Sequence, residues 1–393
     1  MTDHRPFTFI HTADWHIGNS FTGFDREMRQ KLNRAIFRAV ELTFMYARNK
    51  NIPLLLCAGD AVDNGQTCAK EDLLELSRII GKYPGIRVVM IAGNHDPLVA
   101  GNVYHRIEKD NYPGNFHLVS EDEVIAYPEW NLEIYASSAR EKNGKYNPLA
   151  WVKQETRDSG KLRIGLCHGS IENEAFSGDA FPIPPGFAQE SGLDYLALGD
   201  WHSYKKINAR TYYPGVPEPL QFGDDGYPLE VTLRKPGEIP EVAPITAVRQ
   251  YRWRQEQIEI SAETFEEFKN RLQAVKEKEI CRFDISGHLP IQKYKAYKEL
   301  LVMNRRSNCL VFDQAAINPT DEELLETGEG FMAAVMQRLL ELKKAGETLP
   351  IEVNPFAPIT REKVHDQAEA INSREIIDRA LLKIYTYLNY EKK

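Results

Sequence analysis

Five short apolar runs in the first half of the chain end in Asp, Asn or His, and this recurrence constrains the fold more than any single segment does. Phe7 to Ile10 lead into His11, Asp14 and His16, and Leu54 to Ala58 lead into Gly59, Asp60 and then Asp63. Val88 to Ile91 lead into Gly93, Asn94, His95 and Asp96, Leu162 to Cys167 into His168 and Gly169, and Leu193 to Leu198 into Gly199, Asp200, Trp201 and His202. The run from Leu54 to Ala58 has no polar alternation, which marks a central strand covered on both faces. In open sheets of such strands, sites form at the carboxyl ends. Asp14 and His16 are two residues apart, as are Asp200 and His202, so extended backbone turns both side chains of each pair to one side. Taken singly, a strand-end Asp is a turn or cap residue and a His is a surface or core group. Turn formation does not select histidine, however, and five such exits together read as a metal site.

The segments between these runs fit a layered α/β fold. From Asp25 to Asn49, the residues Met28, Leu32, Ala35, Ile36, Ala39, Thr43 and Ala47 form one apolar helical face. A second helix is expected from Glu71 to Ile80, and Pro84-Gly85 turns the chain into the next strand. Strand and helix in alternation imply right-handed crossovers and a mainly parallel sheet. Residues 116 to 140 read as shorter strands of a second sheet, with Pro128 and Asn131 as turn signals.

Composition narrows the function classes. At 393 residues, 42% hydrophobic and 27% charged, the chain is long enough for two or three domains. No apolar stretch reaches the roughly 20 residues that span a bilayer, and residues 1 to 16 lack a signal-peptide core, so no membrane role and a cytoplasmic location are expected. The five cysteines are widely spaced without a Cys-x-x-Cys pair, which indicates neither a disulfide framework nor a zinc finger. A net charge of −8 argues against polyanion binding by the whole surface, but leaves local tracks. Candidate polyanion contacts are Lys205, Lys206 and Arg210, and Arg305 and Arg306; Arg249 to Arg254 and Lys293 to Lys298 are further basic stretches.

Asp14-Trp15-His16, Gly59-Asp60, Gly93-Asn94-His95-Asp96, His168-Gly169 and Gly199-Asp200-Trp201-His202 together resemble the calcineurin-like metallophosphoesterases, in the order that superfamily shows. The stretch from His11 to Gly18, Tyr195 to Gly199 and Tyr213-Pro214-Gly215 resemble more narrowly the SbcD-type nucleases, relatives of the Mre-eleven subunit that works with a Rad-fifty ATPase. The resemblance implies an α/β, two-sheet sandwich of the metallophosphoesterase type, with a small α/β capping domain and C-terminal helices. It implies one divalent ion, Mn2+ or Mg2+, held by Asp14, His16, Asp60 and His202, and a second held by Asp60, Asn94, His168 and Asp200. Two such ions about 3.5 to 4 Å apart share a carboxylate, lower the pKa of a water and bind phosphate oxygens. It gives His95 a catalytic role facing the substrate and Asp63 the orienting of that histidine; Asp96 is left a local structural role. One departure stands out: SbcD-type enzymes usually carry histidine where this chain has Asp200. A third carboxylate should favour harder, oxygen-preferring ions and raise the pKa of the bridging water.

The domains expected are 1–235 for the nuclease domain, 245–318 for the capping domain and 319–393 for a helical partner-binding region. Residues 214 to 244, rich in Pro and Gly, read as the end of the first domain and a linker. Ser261 is placed to cap a helix with Phe265, Phe268, Leu272 and Val275 on one face, strands are expected at 257–260, 280–285 and 310–312, and another helix near 291–303. Beyond the acidic segment Asp321 to Glu329, one helix carries Met332, Val335, Met336, Leu339 and Leu342. Another, after a capping box of Asn372 and Glu375, carries Ile377, Leu381, Ile384 and Leu388. Pro350, Pro355 and Pro358 interrupt the chain between them. By resemblance these helices bind the ATPase, and DNA and a second copy of the chain are the other expected partners. The alternatives are a phosphodiesterase or phosphatase of the same superfamily on small or protein substrates, and a scaffold that binds DNA ends without cutting.

Overall fold

The computed structural model describes residues 5–106, 112–152, 160–172, 180–317, 320, 323–324, 330–345 and 373–390. The chain forms two compact units, Met1–Arg254 with Glu277–Ile280, and Gln255–Lys276 with Cys281–Lys393.

The first unit is built on two six-stranded sheets. In one, β1 (Phe7–Thr12), β2 (Leu54–Ala58), β3 (Arg87–Ile91) and β4 (Phe116–Leu118) run parallel in that order. The other runs β5 (Glu123–Tyr127), β6 (Leu132–Ala136), β7 (Leu162–His168), β8 (Tyr195–Gly199), β10 (Thr211–Tyr213) and β9 (Lys205–Lys206). Its central strands β6, β7, β8 and β10 are parallel neighbours. Period-two alternation sends Phe7, Phe9, Leu54, Leu56, Val89 and Ile91 from one sheet into a single core with Ile134, Ile164, Leu166, Tyr195 and Ala197 from the other. The opposite faces of β2 and β3 are buried too, at Leu55, Cys57, Val88 and Met90. This two-sided burial is why those strands read as unbroken apolar runs.

Crossover helices connect the parallel strands. Helix α1 (Arg26–Asn49) starts where the Asp25 carboxylate accepts the Met28 N–H at 2.8 Å. It buries Met28, Leu32, Ile36, Val40 and Phe44, and is followed two residues past its end by Asn51, whose φ of +56° takes the left-handed turn that stops helices. Helix α2 (Lys70–Gly81) buries Leu73, Leu76, Ile79 and Ile80.

Two sequence expectations are corrected here. Residues 116–118 join the first sheet as β4, not the second. The stretch read as a linker is structural: β11 (Leu229–Leu233) pairs antiparallel with β1, and β12 (Glu241–Pro244) with β11. Leu229, Val231 and Leu233 of β11 alternate into the core.

In the second unit, β13 (Arg252–Ile260), β14 (Glu279–Leu289) and β15 (Cys309–Asp313) form a sheet, with β16 (Ala316–Ile317) beside β14. Helices Phe265–Gln273 and Ile291–Met303 join them, around Phe268, Phe283 and Tyr297. Helices Gly330–Ala345 and Ser373–Tyr390 turn their stripes toward each other: Met336 and Leu340 pack with Ile377, Leu381 and Tyr385, together with Ile291 and Leu324. Much of the apolar surface assigned by resemblance to a partner is therefore covered within the chain. Pro350, Pro355, Pro358, Asn372 and most of the acidic segment lie outside the described residues.

Candidate metal centre

The carboxyl ends of β1, β2, β3, β7 and β8 meet at one place. The Asp14 N–H donates to the Gly59 carbonyl and the His16 N–H to the Asp60 carbonyl, both at 3.0 Å, which ties the first strand exit to the second. His168 donates from Nδ1 to the Ala58 carbonyl at 2.9 Å, tying the fourth exit to the second across the two sheets. The Asp200 N–H points at both Asp14 carboxylate oxygens, at 3.1 and 3.3 Å.

Asp60 lies at the focus and is almost wholly buried. Its Oδ1 accepts the His95 N–H at 2.9 Å, and its Oδ2 lies 3.7 Å from His16 Nε2 and 3.5 Å from His168 Nε2. The room for this carboxylate comes from glycine, since a Cβ on Gly93 would sit 2.2 Å from Asp60 Oδ1. Asp14, His16, Asp60 and Asp200 all adopt positive φ, between +46° and +111°. Such backbone is disfavoured for side-chain-bearing residues, and it concentrates where a site over-determines the geometry.

Asn94 places Nδ2 3.4 Å from Asp200 Oδ1, while Ser170 donates to Asp200 Oδ2 at 2.5 Å. His168 Nε2 is 3.7 Å from Asp200 Oδ1. The His202 ring stands 4.9 Å from that of His16, and its Nδ1 lies 3.6 Å from Asp224. Thus Asp14, His16, Asp60, Asn94, His168, Asp200 and His202 form one connected cluster. His16, Asp60 and His95 offer ligand atoms within 4.8 Å of one another, as do Asp14, Asp60 and His168.

The donor set fits divalent cations. Of nine buried side-chain nitrogen and oxygen atoms without a hydrogen-bond partner among the described residues, five belong to His16, Asn94, His168 and His202. Because His168 Nδ1 faces a carbonyl, which can only accept, its Nε2 is the nitrogen that bears the lone pair in the neutral ring. Burial pushes Asp14 up to about 8, helped by the Asp60 charge and opposed by His168 and His202. Burial alone would lower His168, yet the Asp60, Asp14 and Asp200 charges carry it to about 9. Burial also pushes Asp60 up, but His168, His16, His95 and the His95 N–H together hold it below its ordinary value. A field that retains protons this firmly in the protein alone is one that multivalent cations would relieve.

His95 is exposed and meets the His16 ring edge-on at 4.7 Å. Its Nδ1 is 2.9 Å from the main-chain carbonyl of Asp63. Asp63 thus meets His95 through its main chain, while its carboxylate accepts from Asn19 at 2.9 Å and lies 3.2 Å from His16 Nδ1. Asp96 is fully buried and accepts from the Gly93 N–H, the Val62 N–H and the Tyr104 hydroxyl at 2.6, 3.2 and 2.6 Å. It clamps the second and third strand exits together, a stronger role than its sequence position disclosed. Ser170 and Asp224 were missed because nothing in their local sequence marks them.

The basic candidates separate. Lys205 and Lys206 are exposed on β9. Arg210 is withdrawn from the DNA track: its guanidinium donates to the carbonyls of Asp194, Gly237 and Glu238. In the second unit Arg305 and Arg306 are exposed, and Arg306 also donates to the Val275 carbonyl at 2.8 Å.

Two sheets delivering carboxylates and imidazoles to one buried carboxylate is the architecture of a metal-dependent phosphoesterase. A model of the calcineurin-like phosphoesterase family matches residues 7–204, half of the chain, and the protein belongs to that family. Among its relatives, the SbcD component of the nuclease SbcCD from Rhodobacter capsulatus is 31% identical over 292 residues, covering 61% of this chain and 70% of that one. The uncharacterized metallophosphoesterase YhaO of Bacillus subtilis is 28% identical over 239 residues, 56% of each chain. The SbcD component of the Bacillus subtilis nuclease SbcCD is 29% identical over 269 residues, covering 58% of this chain and 66% of that protein. The chain thus spans between about half and two thirds of the two Bacillus relatives. Among the described residues no helix is long and apolar enough to cross a membrane.

Proposed function

We propose that this metallophosphoesterase hydrolyses phosphodiester bonds of DNA with two divalent ions, Mn2+ or Mg2+, as the nuclease component of a complex with a Rad-fifty-like ATPase. The observation that carries the reading is Asp60 Oδ2 standing within 3.7 Å of two imidazole nitrogens from different sheets. Relatives named as nuclease components favour DNA over other phosphodiesters. Asp14, His16, Asp60 and His202 would hold one ion, and Asp60, Asn94, His168 and Asp200 the other. When bound, the ions supply Lewis-acid activation of a water and neutralise the phosphate charge.

The remaining work belongs to side chains. His95, with Nδ1 tied to the Asp63 carbonyl, keeps Nε2 for exchanging a proton with the leaving oxygen or stabilising its charge. Asp96 fixes the loop that carries both Asn94 and His95. Lys205 and Lys206 are the phosphate contacts of the first unit. Residues 245–318 act as a DNA-contacting cap, and the C-terminal helices dock the ATPase with the surface that their mutual packing leaves free.

The test is incubation with manganese and labelled single- and double-stranded DNA, beside Asp60→Ala. Cleavage by the parent, lowered about a hundredfold or more in the variant, is expected, since even outer-shell partners of a metal contribute about 10 to 100-fold. Equal activity in both preparations refutes the site. Intact DNA with Asp60-dependent cleavage of a small chromogenic phosphodiester moves the substrate to the small-molecule class.

A further inference from the structure

Trp201 sits between Asp200 and His202, and it is the one tryptophan of five that is exposed, at 46% of its surface. The backbone explains why. Asp200 has a φ of +111°, and its N–H is held by Asp14, so its carboxylate reaches Ser170 and Asn94 inside the centre. The next side chain leaves on the outer side, and His202 returns inward to 4.9 Å from His16. A large apolar ring is thereby kept in water at the rim of the site. Over it lies the Lys205 ammonium, 4.3 Å from the ring centroid, on the two-residue strand β9.

An exposed aromatic ring with a cation over it, one residue from two candidate ligands, has the composition of a single-strand platform: a base stacks on the ring and displaces the ammonium to the adjoining phosphate. We propose that Trp201 is a stacking platform that positions the nucleotide next to the scissile phosphate, with Lys205 holding its backbone. The substrate class it selects is nucleic acid with an unpaired base at that position. This inference rests on the nuclease reading and adds a specificity-determining residue to it. A base inside a paired duplex is already stacked on both faces, and a small phosphodiester without a base has none to stack, so base-bearing single strands and frayed ends are preferred.

Two measurements test the platform. The first is tryptophan fluorescence of the full chain titrated with oligothymidylate, and with an abasic strand of equal length, in the parent and in Trp201→Phe. Greater quenching by the base-bearing strand, lost in Trp201→Phe, is expected. The second is manganese-dependent cleavage by the parent, Trp201→Ala and Trp201→Phe. The alanine variant should raise KM for single-stranded DNA about tenfold or more, on the scale of one lost base stack, with phenylalanine restoring most of it. The loss falls on KM rather than kcat. If the parent cleaves DNA, while Trp201→Ala keeps the parent KM and the abasic strand quenches equally, the platform is refuted and the nuclease reading stands. If the parent neither binds nor cleaves nucleic acid, both fall.

Discussion

Replacing Gly93 by alanine tests whether the room around Asp60 is what the site depends on. Gly93 does not need positive φ, so the substitution adds a methyl group without imposing backbone strain. That methyl would lie 2.2 Å from Asp60 Oδ1, 2.7 Å from Asp60 N and 2.8 Å from His168 Cε1. Ordinary contact begins at 3.4 Å, so the carboxylate must give way by about 1.2 Å, the difference between 3.4 and 2.2. The main-chain nitrogen behind it leaves little room for retreat. Moving that far breaks the 2.9 Å bond from the His95 N–H to Asp60. A hydrogen bond to a charged group contributes about 1.5 to 3 kcal/mol, and a misplacement of about 1 Å in a reacting geometry costs about a hundredfold in rate. We expect manganese affinity, read by isothermal titration, to fall at least tenfold, and kcat on a chromogenic phosphodiester to fall about a hundredfold. Gly85→Ala, where an added methyl meets nothing within 4 Å, is the control. Parent-like affinity and kcat in Gly93→Ala would refute the packing account.

The two neighbours in the third strand exit should separate. Asn94→Ala weakens metal binding about 10 to 100-fold, whereas His95→Ala leaves the metal titration unchanged and lowers kcat about 10² to 10⁴-fold. Asp200→His removes one carboxylate, so activity should shift from manganese or magnesium toward zinc and the ascending, acid-side limb of the pH–rate profile, set by deprotonation of the water, should move to lower pH; unchanged metal preference and profile would contradict the electrostatic account. Metal affinity itself should climb with pH. Asp14 at about 8 and His168 at about 9 hold protons that a cation must displace, so between pH 7 and 9 binding tightens while releasing fewer protons. Titration in buffers of different ionisation heat reads that release, and a flat affinity across the interval would exclude both groups as competitors.

How much of this was written in the sequence varies with the range of the interaction involved. The apolar runs determined β1, β2, β3, β7 and β8 because burial on both faces leaves a strand no polar alternation, and their exits named the seven residues of the cluster. Helix α1 was equally legible from its apolar face. What the linear pattern did not disclose were contacts between residues far apart. The bond from Ser170 to Asp200, the approach of Asp224 to His202 and the clamp of Tyr104 on Asp96 join side chains whose own neighbourhoods are unremarkable. Prolines masked β11 and β12, because breaker residues signal turns locally while strand pairing is decided by the partner, here β1. Arg210 looked free for phosphate until three main-chain carbonyls were found around it. The sequence by itself determined which residue types arrive at the site, since strand exits and burial are local properties. Only the tertiary structure decided which of them face each other: Asp60 became the focus because two sheets bring His16 and His168 to the same oxygen, a meeting no single segment encodes.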